Sequence, residues 1–460
     1  MENKGLHEEC GVFGIYSMGD IEKIAHNVYY GLYALQHRGQ QSCGIAVSDR
    51  GVVESYKEMG LVGEVFNDDT LNTLKGQMAI GHVRYSKASE SNNENSQPLV
   101  LRYSKGRIAI SHNGSLTNAE EIRNELSHDG AMFQTQTDAE LIAHIIAHQR
   151  LLVHSVEEAV INAMKKIEGA YSILVMSPQK LVAARDPLGF RPLMIGKKGE
   201  SYVFASESTA LDAISAEYIR DIEPGEVVVV DKDGLKSYKN NCTGKRGICI
   251  FEYIYFARPD STIDGVGVHD ARLKAGEILA RRHPADADMV IGVPDSGLDA
   301  AIGYAKESGL PYGTGFVRNN YIGRTFIKPK QSERRKSIDI KLHVIEENVS
   351  GKKIVMVDDS IVRGSTCANI IRELKEAGAA EVHVRIASPT IHWPCYYGTD
   401  IPTREELTAN HNTVDELCEI IGADSLGFLA NEDLFELMQT EEKTFCDACF
   451  TGNYPTEIKE

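Results

Sequence analysis

The hydrophobic pattern changes character once along the chain, near residue 240. Before that point, short apolar runs alternate or are rich in β-branched residues, with Gly, Asp and Asn between them. GIAVSDRGVV, GQMAIGHVRYS, GRIAISHNG, AYSILVMSP, KLVAARDPLG, YVFASES and EVVVVDKDG are the clearest. Such runs predict strands joined by turns. GVFGIY, directly after Cys10, predicts a first strand. Helical spacing is rarer here, and DAELIAHIIAHQRLL is one case. This half reads as an antiparallel α+β domain.

After residue 240 strands alternate with helices. ADMVIGVPDSG runs into LDAAIGYAKESG, and KKIVMVDD runs through SIVRGST into CANIIRELKEAGA, with EVHVRIASP following. Ile370, Ile371, Leu374 and Ala377 recur at helical spacing. This alternation predicts βαβ units and a parallel sheet. Beyond about residue 400 the chain reads as short helices ending in CDACF.

Length and charge narrow the class. A chain of 460 residues can hold two or three domains. A net charge of -17 argues against a nucleic-acid-binding surface. The longest apolar runs are too short to span a bilayer, and the start lacks the apolar core of a signal peptide, so the expected location is cytoplasmic with no membrane partner. Nine cysteines in a chain this long are no disulfide scaffold. In a reducing compartment they read as buried thiols, catalytic thiols or metal ligands.

KKIVMVDDSIVRGST is the most specific stretch. An apolar strand ends in Asp358 and Asp359, and a loop through Arg363, Gly364, Ser365 and Thr366 opens a helix. Ligands of open parallel sheets bind outside the carboxyl ends of the strands. A helix N-terminus there offers unpaired amides to a phosphate. Paired acids beside it suit Mg²⁺ or sugar hydroxyls. The bland alternative is a solvated acidic turn before a capped helix. The whole string resembles the type I phosphoribosyltransferases, whose loop cradles the 5-phosphate of phosphoribosyl pyrophosphate (PRPP). Val293-Pro294-Asp295-Ser296-Gly297 resembles that family's pyrophosphate loop. Tyr321 to Ile327, with Arg324, resembles the start of its mobile lid, and a basic run from Lys328 to Lys336 follows. The resemblance implies PRPP contacts from Asp295, Ser296, Gly297, Arg324, Arg363, Gly364, Ser365 and Thr366. It also implies Mg²⁺ near Ser296, Asp358 and Asp359.

The first half offers groups that suit a free amino acid. Gly81-His82-Val83-Arg84 and Ser111-His112-Asn113-Gly114 fall at predicted strand ends, and Thr137-Asp138 starts a helix. An arginine can grip an α-carboxylate through paired charge-assisted bonds. Asp138 can hold an α-ammonium, and Asn113 with the Gly114 N–H can form an oxyanion hole. The candidate nucleophile is Cys10. No histidine is obviously dedicated to it, but an N-terminal amine titrates near ~7.7–8 and can serve as base for its own residue. Inside a peptide bond that nitrogen is not basic, so residues 1–9 would have to be removed as a propeptide.

These strings resemble the N-terminal-nucleophile glutamine amidotransferases, with Arg38, His82, Arg84 and Asp138 implied at the glutamine. Joined to the phosphoribosyltransferase features, they resemble the amidophosphoribosyltransferase family over nearly the whole chain. Further matching strings are Gln36-His37-Arg38-Gly39-Gln40, Arg185 to Leu193, Phe204 to Ser208 and Phe251 to Ser261. Ser115, Ala139, Lys87 and Asn320 depart from the usual pattern without removing a proposed catalytic group. The resemblance implies an α+β N-terminal-nucleophile glutaminase domain with antiparallel sheets between helices (10–240). It implies an α/β type I phosphoribosyltransferase domain with a parallel sheet (241–400) and a C-terminal helical extension (401–460). It further implies glutamine and PRPP as substrates, purine nucleotides as feedback inhibitors and a homotetramer.

Cys446-Asp447-Ala448-Cys449 alone could be redox-active, zinc-binding or accidental. One branch of the family holds a [4Fe–4S] cluster on four cysteines, and Cys249, Cys395, Cys446 and Cys449 fall at those places, with Cys242 a rival for Cys249. Four thiolates hold either iron–sulfur or zinc; the resemblance favours iron–sulfur. The alternatives are another glutaminase partner, as in glucosamine-phosphate or asparagine synthesis, and a PRPP-sensing regulator without catalysis. The PRPP loop opposes the first, and an intact Cys10 the second.

Overall fold

The computed structural model describes residues 10–19, 23–85, 91–319 and 342–458. The first half is two antiparallel sheets packed face to face between helices. The seven-stranded sheet runs in the order Glu217–Asp221, Met194–Lys198, Ser201–Ala205, Gly11–Tyr16, Met78–Arg84, Ser42–Asp49, Val52–Met59. The six-stranded sheet runs Gly234–Tyr238, Val227–Asp231, Leu181–Arg185, Gly169–Met176, Gly106–Leu116, Leu99–Tyr103.

Side-chain alternation explains the layering. Val12, Ile80, Leu174, Leu181, Phe204 and Val228 meet between the sheets. From the opposite face of the first sheet, Phe13, Ile15 and Val83 pack on helix Ile24–Ala34. Ile173, Val175 and Val182 of the second pack on helices Asp138–Leu152 and Val156–Ala163. Strand Gly11–Tyr16 is central and buried on both faces, which is why its sequence is a continuous apolar run.

The second half is a parallel sheet in the order Met289–Gly292, Lys353–Asp358, Glu381–Ile386, Ser425–Phe428. Val355 and Val357 face helices Val268–Arg282 and Gly297–Ser308, while Ile354 and Met356 face helices Ser365–Glu376 and Val414–Ile421. The short helices expected after residue 400 are present, and two strands the pattern did not predict lie among them. Ser425–Phe428 supplies the fourth strand, and Phe445–Cys446 pairs in parallel with Ile248–Cys249. Both strands are too short to show a period.

Helices Val268–Arg282 and Gly297–Ser308 cross at backbone contact. A Cβ at Gly276 would lie 1.8 Å from the Ala300 carbonyl oxygen, and one at Gly303 would lie 2.0 Å from that of Leu273. Neither obstacle is a side chain that could rotate away. Gly276→Ala is therefore expected to destabilise the second half by about 1–3 kcal/mol, read as a lowered thermal midpoint. An unchanged midpoint would contradict this packing.

Candidate active site

Cys10 is half-buried at the head of the central strand. Its Sγ donates to the Tyr85 carbonyl at 3.5 Å. It opens on a cleft of about 400 Å³ lined also by Arg84, Gln97, Asn113, Gly114, Thr137 and Asp138. The Asn113 side chain is buried, and neither its nitrogen nor its oxygen has a hydrogen-bond partner. A buried amide left unsatisfied is costly, so it points to a ligand that completes it. Gly114 has φ +132°, and a Cβ there would stand 2.2 Å from the Ala170 carbonyl. Only glycine fits that backbone. Asn113 and Gly114 lie within strand Gly106–Leu116 rather than at a strand end. Asp138 begins helix Asp138–Leu152 and accepts a 2.9 Å bond from the Leu116 N–H.

Two residues expected at the glutamine are placed behind the cleft wall. His82 is fully buried in the sheet, its Nε2 2.9 Å from the His112 carbonyl. Arg38 is also buried, its guanidinium committed to Glu207 at 2.6 Å, to Glu252 at 2.7 and 2.9 Å, and through Nε to the Cys10 carbonyl at 3.1 Å. Burial works against its charge, but Glu252 and Glu207 outweigh it and hold the guanidinium pKa above its usual range. Both correct the expectation of direct ligand contact: these side chains support the cleft from inside.

One wall of the cleft comes from the other half of the chain. Tyr396, Gly398, Thr399 and Asp400 line it, and Asp400 bonds the Tyr85 hydroxyl. Nothing local in the sequence marks these residues, because they meet Cys10 only through the packing of the two halves.

At the parallel sheet, Asp358 and Asp359 close strand Lys353–Asp358 and are nearly buried. The Ser296 hydroxyl donates to Asp359 at 2.5 Å, and the Asp359 N–H donates to Asp358 at 2.9 Å. Burial first, then the charge of its neighbour, pushes the Asp358 carboxyl up, and burial does the same for Asp359. Such a desolvated oxygen pair could hold a hard cation. Gly297 must be glycine, since a Cβ would lie 2.5 Å from the Val357 carbonyl. Gly364, at φ +78°, turns the chain into helix Ser365–Glu376, with Ser365 and Thr366 exposed at its start. Arg363 pairs with Glu406, and Asp295 with Arg318. Arg324, Lys87, Asn320, the Lys328 to Lys336 run and residues 1–9 lie outside the described residues.

Cys249, Cys395, Cys446 and Cys449 line a single small cavity with Phe190, Phe251, Tyr397 and Tyr454. The two short parallel strands set Cys249 opposite Cys446. Burial first, and then the neighbouring thiols, raise Cys446 and Cys449 well above an ordinary thiol. Cys242 is not among the lining residues.

Burial strips water from two imidazoles beside the cleft, pushing His82 down to about 3 and His112 down to about 4. In the unfolded chain each titrates near ~6.5. The unfolded state thus binds more protons across that window, and the stability contributed by the neutral rings is lost as pH falls through it. His82→Gln is expected to flatten the fall of the thermal midpoint between about pH 6.5 and about pH 4. A slope identical to wild type would contradict a neutral buried ring.

Residues 82–213 match the family model described as a glutamine amidotransferase domain. The amidophosphoribosyltransferase of Bacillus subtilis (strain 168) is 46% identical over 99% of this chain and 96% of its own length. That of Methanocaldococcus jannaschii is 46% identical over 98% of both chains. A solved structure described as the allosteric regulatory enzyme of purine biosynthesis superposes with a TM-score of 0.92 at 46% identity, covering 98% of this chain and 97% of that one. The glutamine PRPP amidotransferase of B. subtilis, complexed with ADP and GMP, gives 0.91 at 45% identity over 98% of each chain. With likeness of this degree along the full length, in sequence and in fold, the chain belongs to the amidophosphoribosyltransferase family.

Proposed function

We infer that the two sites run one reaction in series. The chain hydrolyses glutamine at Cys10 and transfers the ammonia to C1 of PRPP, giving 5-phosphoribosylamine, glutamate and pyrophosphate, the first step of purine synthesis. One observation carries the reading: a strand-head thiol facing a buried, unpartnered amide, joined in one chain to a carboxylate pair at the mouth of a parallel sheet.

With residues 1–9 removed, the Cys10 amine takes the thiol proton and the thiolate attacks the glutamine side-chain carbonyl. Asn113 and the Gly114 N–H stabilise the oxyanion. The amine returns the proton to the departing ammonia, and water then releases glutamate from the thioester. Arg84 suits the α-carboxylate and Asp138 the α-ammonium. At the second site the ammonia lone pair forms the bond to C1 as the bond to pyrophosphate oxygen breaks, and the ammonium so formed loses one proton to water to give the amine. Asp295, Ser296 and Gly297 suit the pyrophosphate, while Arg363, Gly364, Ser365 and Thr366 suit the 5-phosphate. Arg324 belongs to the same reading. Ser296, Asp358 and Asp359 would hold Mg²⁺, which would offset the charge of the leaving pyrophosphate.

The family resemblance favours an iron–sulfur group over zinc at the four thiols. Among the described residues no three or more His, Cys, Asp or Glu side chains are arranged to hold a single ion. Four thiols nevertheless line one small cavity, a donor set that can hold either iron–sulfur or zinc. When bound it would tie residues 446–449 to strand Ile248–Cys249 and to Cys395. The relative complexed with ADP and GMP supports purine nucleotides as feedback inhibitors. A homotetramer, a cytoplasmic location, a glutaminase domain over 10–240, a transferase domain over 241–400 and a C-terminal extension over 401–460 complete the reading. Among the described residues no helix is long and apolar enough to cross a membrane.

Cys10→Ala is expected to abolish glutamine-dependent product formation while ammonia-dependent formation persists. Retained glutamine use would contradict the nucleophile, and a wild-type protein unable to use ammonia would contradict the transferase site. Anaerobically purified protein is expected to be brown and to carry iron with acid-labile sulfide. Zinc alone would contradict the cluster.

A further inference from the structure

The mechanism above gives no task to the buried ion cluster behind Cys10. Arg38 is its centre. One edge of the guanidinium makes a two-pronged pair with Glu252, Nη1 at 2.9 Å and Nη2 at 2.7 Å. Nη1 also meets Glu207 at 2.6 Å. This leaves Nε to donate to the Cys10 carbonyl at 3.1 Å. A guanidinium is planar and rigid, so fixing the Nη edge fixes the direction of Nε.

Glu207 has other partners: His37 at 2.7 Å, the Ser261 hydroxyl at 2.7 Å and the Arg258 N–H at 3.0 Å. Glu252 is different. It lies in the other half of the chain, fully buried in the turn Glu252–Phe256, and its charged neighbours are Arg38 and, at 3.6 Å, Arg191. Arg272 clamps the same turn, donating to the carbonyls of Tyr253, Tyr255 and Ala257 at 2.8, 3.0 and 2.8 Å.

We propose that Glu252 is a positioning residue for the glutamine site, acting through Arg38 to hold the Cys10 backbone so that the thiol and its amine keep their geometry. Its turn belongs to the transferase half, so the nucleophile is aligned only when the halves are docked. A small misplacement of a reacting group costs on the order of 100-fold in rate. The inference rests on Cys10 being the nucleophile, and the Cys10→Ala result tests that separately.

The test compares the full-length Glu252→Gln enzyme with wild type in both assays. Glutamine-dependent kcat is expected to fall by about 100-fold with KM for glutamine within about threefold, while ammonia-dependent kcat stays within about twofold. Glu252→Asp should recover part of the loss. A parallel fall in both activities, or unchanged glutamine turnover, overturns the proposal. If Glu252→Gln does not fold, Arg38→Met with Glu252→Leu removes one charge of each sign and leaves no buried charge of this pair unmatched. That double variant is expected to use ammonia but not glutamine. Normal glutamine turnover, or loss of both activities, overturns the proposal.

Discussion

A thiol can act as a nucleophile only if its backbone is held, and Cys10 is held from two directions. Strand Gly11–Tyr16 fixes it from in front, hydrogen-bonded on both sides and sealed between two apolar layers. Arg38 fixes it from behind, through the carbonyl of Cys10 itself. The guanidinium is fully buried, which is tolerable because two carboxylates share its charge. One of those carboxylates belongs to the second half. Docking of the halves and placement of the Cys10 backbone are therefore a single structural event.

The same dependence recurs at the cleft. Its far wall is the segment from Cys395 to Asp400, which lies in sequence between the third and fourth strands of the parallel sheet, Glu381–Ile386 and Ser425–Phe428. Cys395 also lines the four-thiol cavity, so one short loop separates the two spaces. The cleft is thus built from the first half of the chain and closed by the second. The second site draws its groups from strand ends and helix starts of one sheet, as open parallel sheets favour.

Local chemistry was legible in the sequence; long-range partnership was not. The Asp358-Asp359 loop and the strand after Cys10 are contiguous patterns, and each forms the expected kind of element, whereas the Asn113-Gly114 pair falls inside its strand rather than at the end. Arg38 and His82 stand in strings typical of such sites, yet they face inward, and nothing in those strings reveals that Glu252, 214 residues away, is the Arg38 partner. The Ser425–Phe428 strand was hidden because four residues carry no period. The four cysteines were found only through family spacing, since their convergence depends on two strands of two residues each.

We infer that the base for Cys10 is its own amine, which exists only once residues 1–9 are gone. Intact-mass measurement on the enzyme, paired with its glutamine-dependent turnover, tests this most directly. Every active preparation is predicted to begin at Cys10. Full glutamine-dependent activity from protein still carrying Met1 to Glu9 would contradict it.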